Sequence, residues 1–250
     1  MTDKKEIGQS TKSIWGGEQE YDLYERSTQV PVVHSVSFGY KDIDTWHKAA
    51  LGIVEGHIYS RNTNPTVRAF ENKVKELENA EAATSFASGM AAISNTLGTF
   101  LQSGDRVVSI KDSYGGTNVI FNEFLPPLNI DVSLCETVDQ EQIINEINKG
   151  CNVLYLETPT NPTIKITDIK KLSAAAKEVG AIVVVDNTFA TPINQNPLSL
   201  GADIVLHSAS KYLGGHADAL GGVICGNKEL VEKVYHYREI NGATLAPMDA

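Results

Sequence analysis

The sequence predicts an α/β fold, with a mostly parallel sheet and helices on both of its faces. From about residue 65 onward, short β-branched segments alternate with longer segments of helical periodicity, and this alternation is typical of parallel strands joined by crossover helices. The 250 residues and the 42% hydrophobic content are sufficient for one large domain with a substantial core. Residues 1–60 lack the alternation, so we expect an extended N-terminal arm before a large domain that covers residues 61–250.

The elements of the large domain can be assigned in chain order. The first helix is predicted to begin at Pro65, because Asn64 is a favourable N-cap and proline fits the first helical turn. Its buried face would consist of Val67, Phe70, Val74 and Leu77. Strands are predicted at DRVVSI, IDVSL, CNVLYLE, AIVVVD and ADIVLHS. Helices are predicted between them at QEQIINEINKG and at ITDIKKLSAAAKEVG, and the second helix would end at Gly180.

Charge and cysteine content argue against several functional classes. Lys and Arg total 21 against 31 Asp and Glu, and the net charge of -10 repels nucleic acids and anionic membranes. No apolar stretch reaches the ~20 residues that span a bilayer, and the polar opening residues do not resemble a secretion signal. The isolated cysteines, Cys135, Cys151 and Cys225, favour neither a disulfide framework nor a zinc site. We therefore expect a cytoplasmic protein that binds neither nucleic acid nor membrane.

Polar residues that directly follow predicted strands are candidates for a ligand site, because open parallel sheets bind ligands at the carboxyl ends of their strands. Asp186 ends AIVVVD, although by itself this residue fits better as a strand-end cap or as a turn residue for Asn187 and Thr188. Ser208 ends ADIVLHS, and the chain continues through Ser210 and Lys211. The loop that follows is expected to contain Gly214, Gly215, Gly221 and Gly222. A loop lysine is usually a solvated surface residue, but Lys211 follows a buried type of strand and lies among hydroxyl groups and paired glycines.

Two glycine-containing segments add further candidates. Ser88-Gly89-Met90-Ala91-Ala92 predicts the start of a helix, where free backbone N–H groups can hold an anion. Tyr114-Gly115-Gly116-Thr117 follows DRVVSI and could place an aromatic ring over a flat ligand, although a simple glycine turn fits this segment equally well. Neither segment has the spacing of a dinucleotide-binding fingerprint or a P-loop, which argues against a nicotinamide-dependent oxidoreductase.

Together these segments fit one ligand better than they fit separate roles. The ligand would have an anion at a helix N-terminus, a planar ring, a ring cation that faces a carboxylate, and an aldehyde that faces an amine. Pyridoxal 5'-phosphate (PLP) has all four of these features. In this interpretation Asp186 keeps the pyridine nitrogen protonated, so that the ring can act as an electron sink. Lys211 would form a Schiff base with the cofactor and would transfer protons once the substrate has displaced it.

Six motifs follow one another in a characteristic order. They are Tyr59-Ser60-Arg61 with Asn64-Pro65-Thr66, Ser88-Gly89-Met90-Ala91-Ala92, Tyr114-Gly115-Gly116-Thr117, Glu157-Thr158-Pro159-Thr160-Asn161-Pro162, Val185-Asp186-Asn187-Thr188 and His207-Ser208-Ala209-Ser210-Lys211-Tyr212. This order resembles the Cys/Met-metabolism family of fold-type-I PLP-dependent enzymes, and the resemblance covers nearly all of the chain after residue 30. The resemblance implies the large domain of a fold-type-I PLP-dependent transferase.

The resemblance also implies a role for each candidate residue. The cofactor phosphate would be bound by the backbone amides of Gly89 and Met90 and by the hydroxyl groups of Ser208 and Ser210. Tyr114 would stack on the pyridine ring, Asp186 would pair with the ring nitrogen, and Lys211 would bind the aldehyde. Ser210 stands where many relatives have threonine, a change that keeps the hydroxyl group.

In this family the site is shared between two subunits. By the resemblance, Tyr59 and Arg61 would contact the phosphate of the neighbouring subunit's cofactor, and a guanidinium group can hold two phosphate oxygens at once. We therefore expect a homo-oligomer with a dimer as its smallest working unit and a tetramer as its assembly, in which residues 1–60 make subunit contacts. The residues alone also allow an intrachain contact of Arg61 near the helix that begins at Pro65.

The implied activity is a PLP-dependent γ-elimination or γ-replacement in transsulfuration, on cystathionine or an activated homoserine, as in cystathionine γ-synthase or γ-lyase. O-acetylhomoserine sulfhydrylase and methionine γ-lyase are alternatives, although Gly116 stands where methionine γ-lyases typically carry cysteine. We expect the chain to lack the family's small C-terminal domain, which in the family carries the arginine that binds the substrate carboxylate. A non-catalytic binding protein is the alternative from another class, but such a protein does not need Lys211.

Overall fold

The computed structural model describes residues 8–16 and 28–250, which fold around one seven-stranded sheet. The strands are β1 (Ala82–Phe86), β2 (Arg106–Ile110), β3 (Asp131–Cys135), β4 (Val153–Glu157), β5 (Ile182–Asp186), β6 (Ile204–Ser208) and β7 (Gly222–Gly226). The helices are α1 (Gln9–Trp15), α2 (Ile43–Ala50), α3 (Pro65–Glu78), α4 (Gly89–Phe100), α5 (Gly115–Val119), α6 (Gln140–Asn148), α7 (Ile169–Glu178), α8 (Thr191–Asn194) and α9 (Lys228–Asn241). Each helix in the described ranges is too short or too polar to span a bilayer.

The strand order across the sheet is β1-β7-β6-β5-β4-β2-β3. The strands from β6 to β3 run parallel to one another, whereas β7 is antiparallel to both β6 and β1. The side chains of β5 alternate between the two faces, as the pleat of a strand requires. Val184 packs in the apolar cluster that includes α4 and α9, while Val183 and Val185 pack in the cluster that includes α6 and α7. The predicted mostly parallel sheet with helices on both faces is confirmed.

The helix start predicted at Asn64-Pro65 is present, and its cap has the expected geometry. The side chain of Asn64 accepts hydrogen bonds from the backbone N–H groups of Thr66 (2.9 Å) and Val67 (3.4 Å), and Pro65 is the first residue of α3. The amide group of Asn64 also donates to the carbonyl oxygen of Val33 (2.8 Å). The cap of α3 therefore also attaches the preceding segment to the large domain.

The sequence did not predict the two strands at one end of the sheet, and one prediction there was wrong. Gly222 was expected in a loop, but it begins β7. A Cβ atom at this position would lie 2.2 Å from the carbonyl oxygen of Ser88, so the glycine is required by the close approach of two backbones rather than by a turn. The sequence of β1, AATSF, is short and consists largely of small and polar residues, which gives a weak strand signal.

Two short helices lie within the described part of residues 1–60, where the sequence predicted only an extended arm. Helix α1 contacts α3 of the same chain, where the side chain of Gln9 donates a hydrogen bond to the carbonyl oxygen of Leu77 (3.2 Å). Helix α2 begins after Asp42, whose carboxylate accepts from the backbone N–H of Thr45 (2.7 Å). Residues 1–7 and 17–27 of the predicted arm lie outside the described residues. The role of this segment in subunit contacts stays a prediction.

Candidate active site

A cavity of about 180 Å³ lies at the carboxyl ends of three neighbouring parallel strands, β4, β5 and β6. Those strands end at Glu157, Asp186 and Ser208, and all three residues line the cavity. The lining includes seven of the nine residues predicted from the sequence, namely Gly89, Met90, Tyr114, Asp186, Ser208, Ser210 and Lys211. The fold therefore brings together candidates that are more than a hundred residues apart in the chain.

A larger cleft of about 430 Å³ lies elsewhere on the molecule. Its lining includes apolar side chains such as Phe70, Val74 and Leu77, but not Glu157 or Asp186. We place the candidate site in the smaller cavity, because that cavity contains the strand-end carboxyl groups and the lysine.

The N-terminus of α4 forms one wall of the cavity and is built to approach β6 closely. The hydroxyl group of Ser88 caps the helix by accepting from the backbone N–H of Ala91 (3.1 Å). A Cβ atom at Gly89 would lie 2.6 Å from the Cβ atom and 2.8 Å from the Oγ atom of Ser208, so a glycine is needed here. The first-turn amides of Gly89 and Met90 have no acceptor within the helix, and they lie beside the Ser208 side chain. This wall fits a phosphate group.

Asp186 is a buried carboxyl group at the end of β5. Its side chain accepts hydrogen bonds from the backbone N–H of Thr188 (3.0 Å) and from the hydroxyl group of Tyr155 (3.3 Å), and the residue is only 6% exposed. Burial raises the pKa of Asp186, and the hydrogen bonds from Thr188 partly oppose this rise. A buried carboxylate is stabilised by a cation at its open side, so the position fits a protonated ring nitrogen.

Glu157 is a second buried carboxyl group, and the sequence had not assigned a role to it. It is the register partner of Asp186 on the neighbouring strand and is 5% exposed. Its Oε2 atom accepts from the backbone N–H of Tyr114 (2.6 Å), and its Oε1 atom accepts from that of Asn161 (3.0 Å). Burial, followed by the negative charge of Asp186, raises the pKa of Glu157 to about 7. The residue could have been found, since it ends CNVLYLE just as Asp186 ends AIVVVD.

The turn after β6 carries Lys211. The backbone N–H of Lys211 donates to the carbonyl oxygen of Ser208 (3.2 Å), and its own carbonyl oxygen accepts from the N–H of Gly215 (2.7 Å). The side chain is exposed and lines the cavity. In the same turn the hydroxyl group of Ser210 accepts from the N–H of Gly221 (3.0 Å) and donates to its carbonyl oxygen (3.3 Å). Ser210 thus fixes the turn to the segment before β7, and its predicted contact with a phosphate stays a prediction.

Tyr114 lies at the mouth of the cavity, immediately before α5, and is 45% exposed. A Cβ atom at Gly116 would lie 2.6 Å from the Sδ atom of Met90 and 3.0 Å from the Cε1 atom of Tyr114. The missing side chain at Gly116 therefore leaves room for both of these neighbours. The ring of Tyr114 is accessible to a flat ligand in the cavity.

The two remaining predicted residues, Tyr59 and Arg61, do not line the cavity of their own chain. The guanidinium group of Arg61 donates to the carbonyl oxygen of Glu239 (2.6 Å) and lies 5.7 Å from the centre of the Tyr59 ring. Within the chain Arg61 therefore contacts α9, and not the start of α3 that the intrachain alternative named. The contact with a neighbouring subunit's cofactor stays a prediction.

The cavity is lined by an amine after a strand end, a buried carboxyl group, an accessible aromatic ring and a helix N-terminus. This combination is typical of PLP-dependent proteins. The comparison with known families agrees with this class. The chain belongs to the Cys/Met metabolism PLP-dependent enzyme family, whose sequence profile matches residues 10–250. The cofactor of this family is PLP, so the resemblance and the cofactor predicted from the sequence are confirmed.

Several characterised proteins are similar to the chain. Cystathionine γ-lyase of Bacillus subtilis is 44% identical over 217 residues, which are 86% of this chain and 57% of the relative. L-methionine γ-lyase of Fusobacterium nucleatum subsp. polymorphum is 39% identical over 98% of this chain and 62% of the relative. The crystal structure of cystathionine γ-synthase from Xanthomonas oryzae pv. oryzae in complex with cystathionine superposes with a TM-score of 0.89 at 31% identity, over 98% of this chain and 61% of that chain. The chain thus spans about three fifths of the length of these proteins.

Proposed function

We propose that the protein catalyses a γ-elimination or a γ-replacement on cystathionine or an activated homoserine, as a transsulfuration enzyme of the cystathionine γ-lyase or γ-synthase type. The observation that carries this proposal is that Lys211 shares one cavity with Asp186, Tyr114 and the N-terminus of α4. Membership of the Cys/Met metabolism family supports a sulfur-containing or related amino acid as the substrate. The similarity to a cystathionine γ-lyase and to a cystathionine γ-synthase supports the γ-position as the place of reaction.

Each group in the cavity has a separate task in this proposal. When bound, PLP supplies an electron sink for the reacting amino acid. The amides of Gly89 and Met90 and the Ser208 hydroxyl group would hold the phosphate, in the wall where glycine permits a close approach. Asp186 would keep the ring nitrogen protonated from its buried position. The amine of Lys211 would hold the cofactor aldehyde and, once released, would move protons between substrate carbons.

Methionine γ-lyase is the second candidate. The 39% identity to such an enzyme over nearly the whole chain favours it, whereas Gly116 differs from the cysteine typical of that activity. A cysteine here would require Met90 and the Tyr114 ring to move, because a Cβ atom at Gly116 already lies within 3.0 Å of both side chains. The glycine at this position, in place of that cysteine, supports a cystathionine enzyme. O-acetylhomoserine sulfhydrylase is a further member of the same reaction class.

The proposal includes a homo-oligomer, with a dimer as the smallest working unit and a tetramer as its assembly. Tyr59 and Arg61 lie outside the cavity of their own chain, which supports a role in a partner's site. Helix α2 and the residue after it also expose large apolar side chains, including Ile43, Trp46 and Leu51, and a second subunit would cover such groups. A cytoplasmic location is supported by the free, buried state of Cys135, Cys151 and Cys225.

Product analysis tests the proposed reaction. Purified protein loaded with PLP is incubated separately with cystathionine, with O-acetylhomoserine plus cysteine, and with methionine. Release of cysteine, ammonia and 2-oxobutanoate from cystathionine identifies a γ-lyase, formation of cystathionine identifies a γ-synthase, and methanethiol identifies a methionine γ-lyase. The Lys211→Ala variant is the control, and it should form no product. A protein that holds PLP on Lys211 but converts none of these substrates would contradict the cystathionine and methionine activities, and would leave O-acetylhomoserine sulfhydrylase and the non-catalytic protein as alternatives.

A further inference from the structure

Glu157 connects two loops at the candidate site through separate carboxylate oxygens. Oε2 accepts from the backbone N–H of Tyr114, at the end of the loop after β2, and Oε1 accepts from that of Asn161, in the loop after β4. Both residues line the cavity, as does Glu157 itself. A carboxylate that accepts from backbone N–H groups makes shorter and stronger hydrogen bonds than a neutral acceptor. The arrangement therefore does more than satisfy a buried charge, because it fixes two walls of one cavity relative to each other.

We propose that Glu157 is a positioning residue that holds the Tyr114 ring over the cavity by anchoring the backbone of Tyr114. This inference rests on the proposed function and on the stacking of Tyr114 on the cofactor ring that the family resemblance implies. Glu157 would act through Tyr114, and its own contact with the cofactor is not required.

The surroundings of Tyr114 explain why its backbone needs an anchor. The Tyr114 side chain is 45% exposed, so packing holds only part of the ring. Two glycines follow it, and the space around the Cβ position of Gly115 is open. Before Tyr114, the carbonyl oxygen of Ser113 accepts from the side chain of Asn118 (3.0 Å). The bond from the Tyr114 N–H to Glu157 joins the backbone of this turn directly to the end of β4.

The alternative is that Glu157 only closes the end of β4, as many polar residues do at strand ends. The two roles differ in how the effect of a substitution depends on the Tyr114 ring. If Glu157 only closes the strand, its substitution has the same effect whether or not residue 114 carries a ring. If Glu157 positions Tyr114, its substitution no longer affects cofactor binding once the ring has been removed. A double-mutant cycle measures this difference.

The cycle uses the wild type, Glu157→Gln, Tyr114→Ala and the double variant, each first freed of cofactor. The dissociation constant for PLP is measured by equilibrium dialysis, and the visible circular dichroism of the bound cofactor is recorded per mole bound. Glutamine keeps the size of the side chain, but it turns one acceptor into a donor that faces a backbone N–H. We expect Glu157→Gln to weaken binding about tenfold when Tyr114 is present and less than about twofold in the Tyr114→Ala background. Its dichroism should approach that of Tyr114→Ala.

The matched control is Glu71→Gln. The Glu71 carboxylate also accepts from a backbone N–H, that of Ser85 (2.8 Å), but it lies outside the cavity lining. This variant should lower the midpoint of thermal unfolding while leaving PLP affinity and dichroism unchanged. If Glu157→Gln does not fold, Glu157→Asp replaces it in the cycle, because the shorter carboxylate keeps the charge but cannot reach both amides.

Two results lead to different conclusions. Equal losses of affinity in both backgrounds, with unchanged dichroism, would overturn the inference and leave Glu157 as a strand-end residue. A wild-type protein that takes up no PLP at Lys211 would instead contradict the proposed function, before the cycle begins. The inference and the function on which it rests can therefore fail separately.

Discussion

At the scale of single residues, the most unusual feature is a pair of carboxyl groups side by side on adjacent strands. Glu157 and Asp186 are register partners, both are buried, and burial is the main cause of the raised pKa of each. The pKa of Glu157 also rises because of the charge of Asp186. Two such groups are stable together when one of them carries a proton or when a cation lies beside them. The pair thus makes the cavity suited to a ligand with a positively charged ring.

The first prediction concerns the stability of the cofactor-free protein. The pKa of Glu157 is about 7 in the folded chain, against an ordinary value of 4.5. The stability associated with the protonated group is therefore fully present below about pH 4.5 and is lost as the pH rises through about 7. Between pH 5.5 and pH 8 the wild type should lose about 2 kcal/mol more of its unfolding free energy than Glu157→Gln loses. Urea unfolding at both pH values measures this difference, and parallel losses would contradict the raised pKa.

The second prediction concerns Asp186. In Asp186→Asn the phosphate contacts and Lys211 remain, so the amount of bound cofactor should change little. Turnover should fall by at least about 100-fold, because an amide does not keep the ring nitrogen protonated. The measurement compares borohydride-fixed cofactor with product formation in one preparation. If the wild type is active and Asp186→Asn turns over at the same rate, Asp186 is only a strand-end cap.

The sequence predicted seven of the residues that line the cavity, but it assigned no role to Glu157. Residues at strand ends could be found because parallel strands bring their carboxyl ends to one edge, and this rule selected Asp186 and Lys211. The same rule applies to Glu157, but its hydrogen bonds to Tyr114 and Asn161 depend on how two loops meet. Such contacts between distant segments leave no periodic pattern in the sequence.

At the scale of elements, the N-terminus of α4 and the end of β6 approach each other closely, and we propose that they bind the cofactor phosphate. Gly89 permits this approach, and Gly222 at the start of β7 permits a second one against Ser88. The central strands were predicted because their β-branched segments are long and apolar. β1 was not predicted because AATSF consists largely of small and polar residues, and β7 was not because its apolar residues lie between two glycines where backbones pass close to one another.

The third prediction tests this wall. Gly89→Ala places a methyl group 2.6 Å from the Cβ atom of Ser208, and neither the strand nor the helix can move without disturbing the cavity. We expect this overpacking to weaken the affinity for PLP by at least about tenfold. Gly98→Ala in the same helix is the control, because its methyl group would meet the flexible Tyr237 side chain at 3.0 Å. An unchanged affinity in Gly89→Ala would show that the phosphate is bound elsewhere.

At the scale of the whole molecule, the predicted site combines residues of two subunits. Tyr59 and Arg61 were predicted from the family resemblance, and they lie outside their own cavity. The sequence of one chain carries no periodic signal for a contact between subunits, so this part of the site could not be derived from residues alone. The exposed apolar side chains of α2 indicate where a second subunit could be accommodated.

The fourth prediction tests the shared site by complementation. Arg61→Ala and Lys211→Ala should each be weakly active or inactive alone. In mixed dimers one site would carry both defects and the other neither, so mixing with subunit exchange should restore up to about a quarter of wild-type activity, since half of the dimers would have one intact site. Demonstrated mixed dimers without recovered activity would place Arg61 and Lys211 in the site of the same chain.

The central claim is that Lys211 holds the cofactor, and mass spectrometry tests it most directly. Purified protein is incubated with PLP, reduced with borohydride and digested, and the modified peptide is identified. We predict a visible absorption band that borohydride removes and a reduced pyridoxyl phosphate group on Lys211, with no such group at this position in Lys211→Ala. A wild-type protein that gains no visible band and carries no modification on Lys211 after incubation would contradict the account.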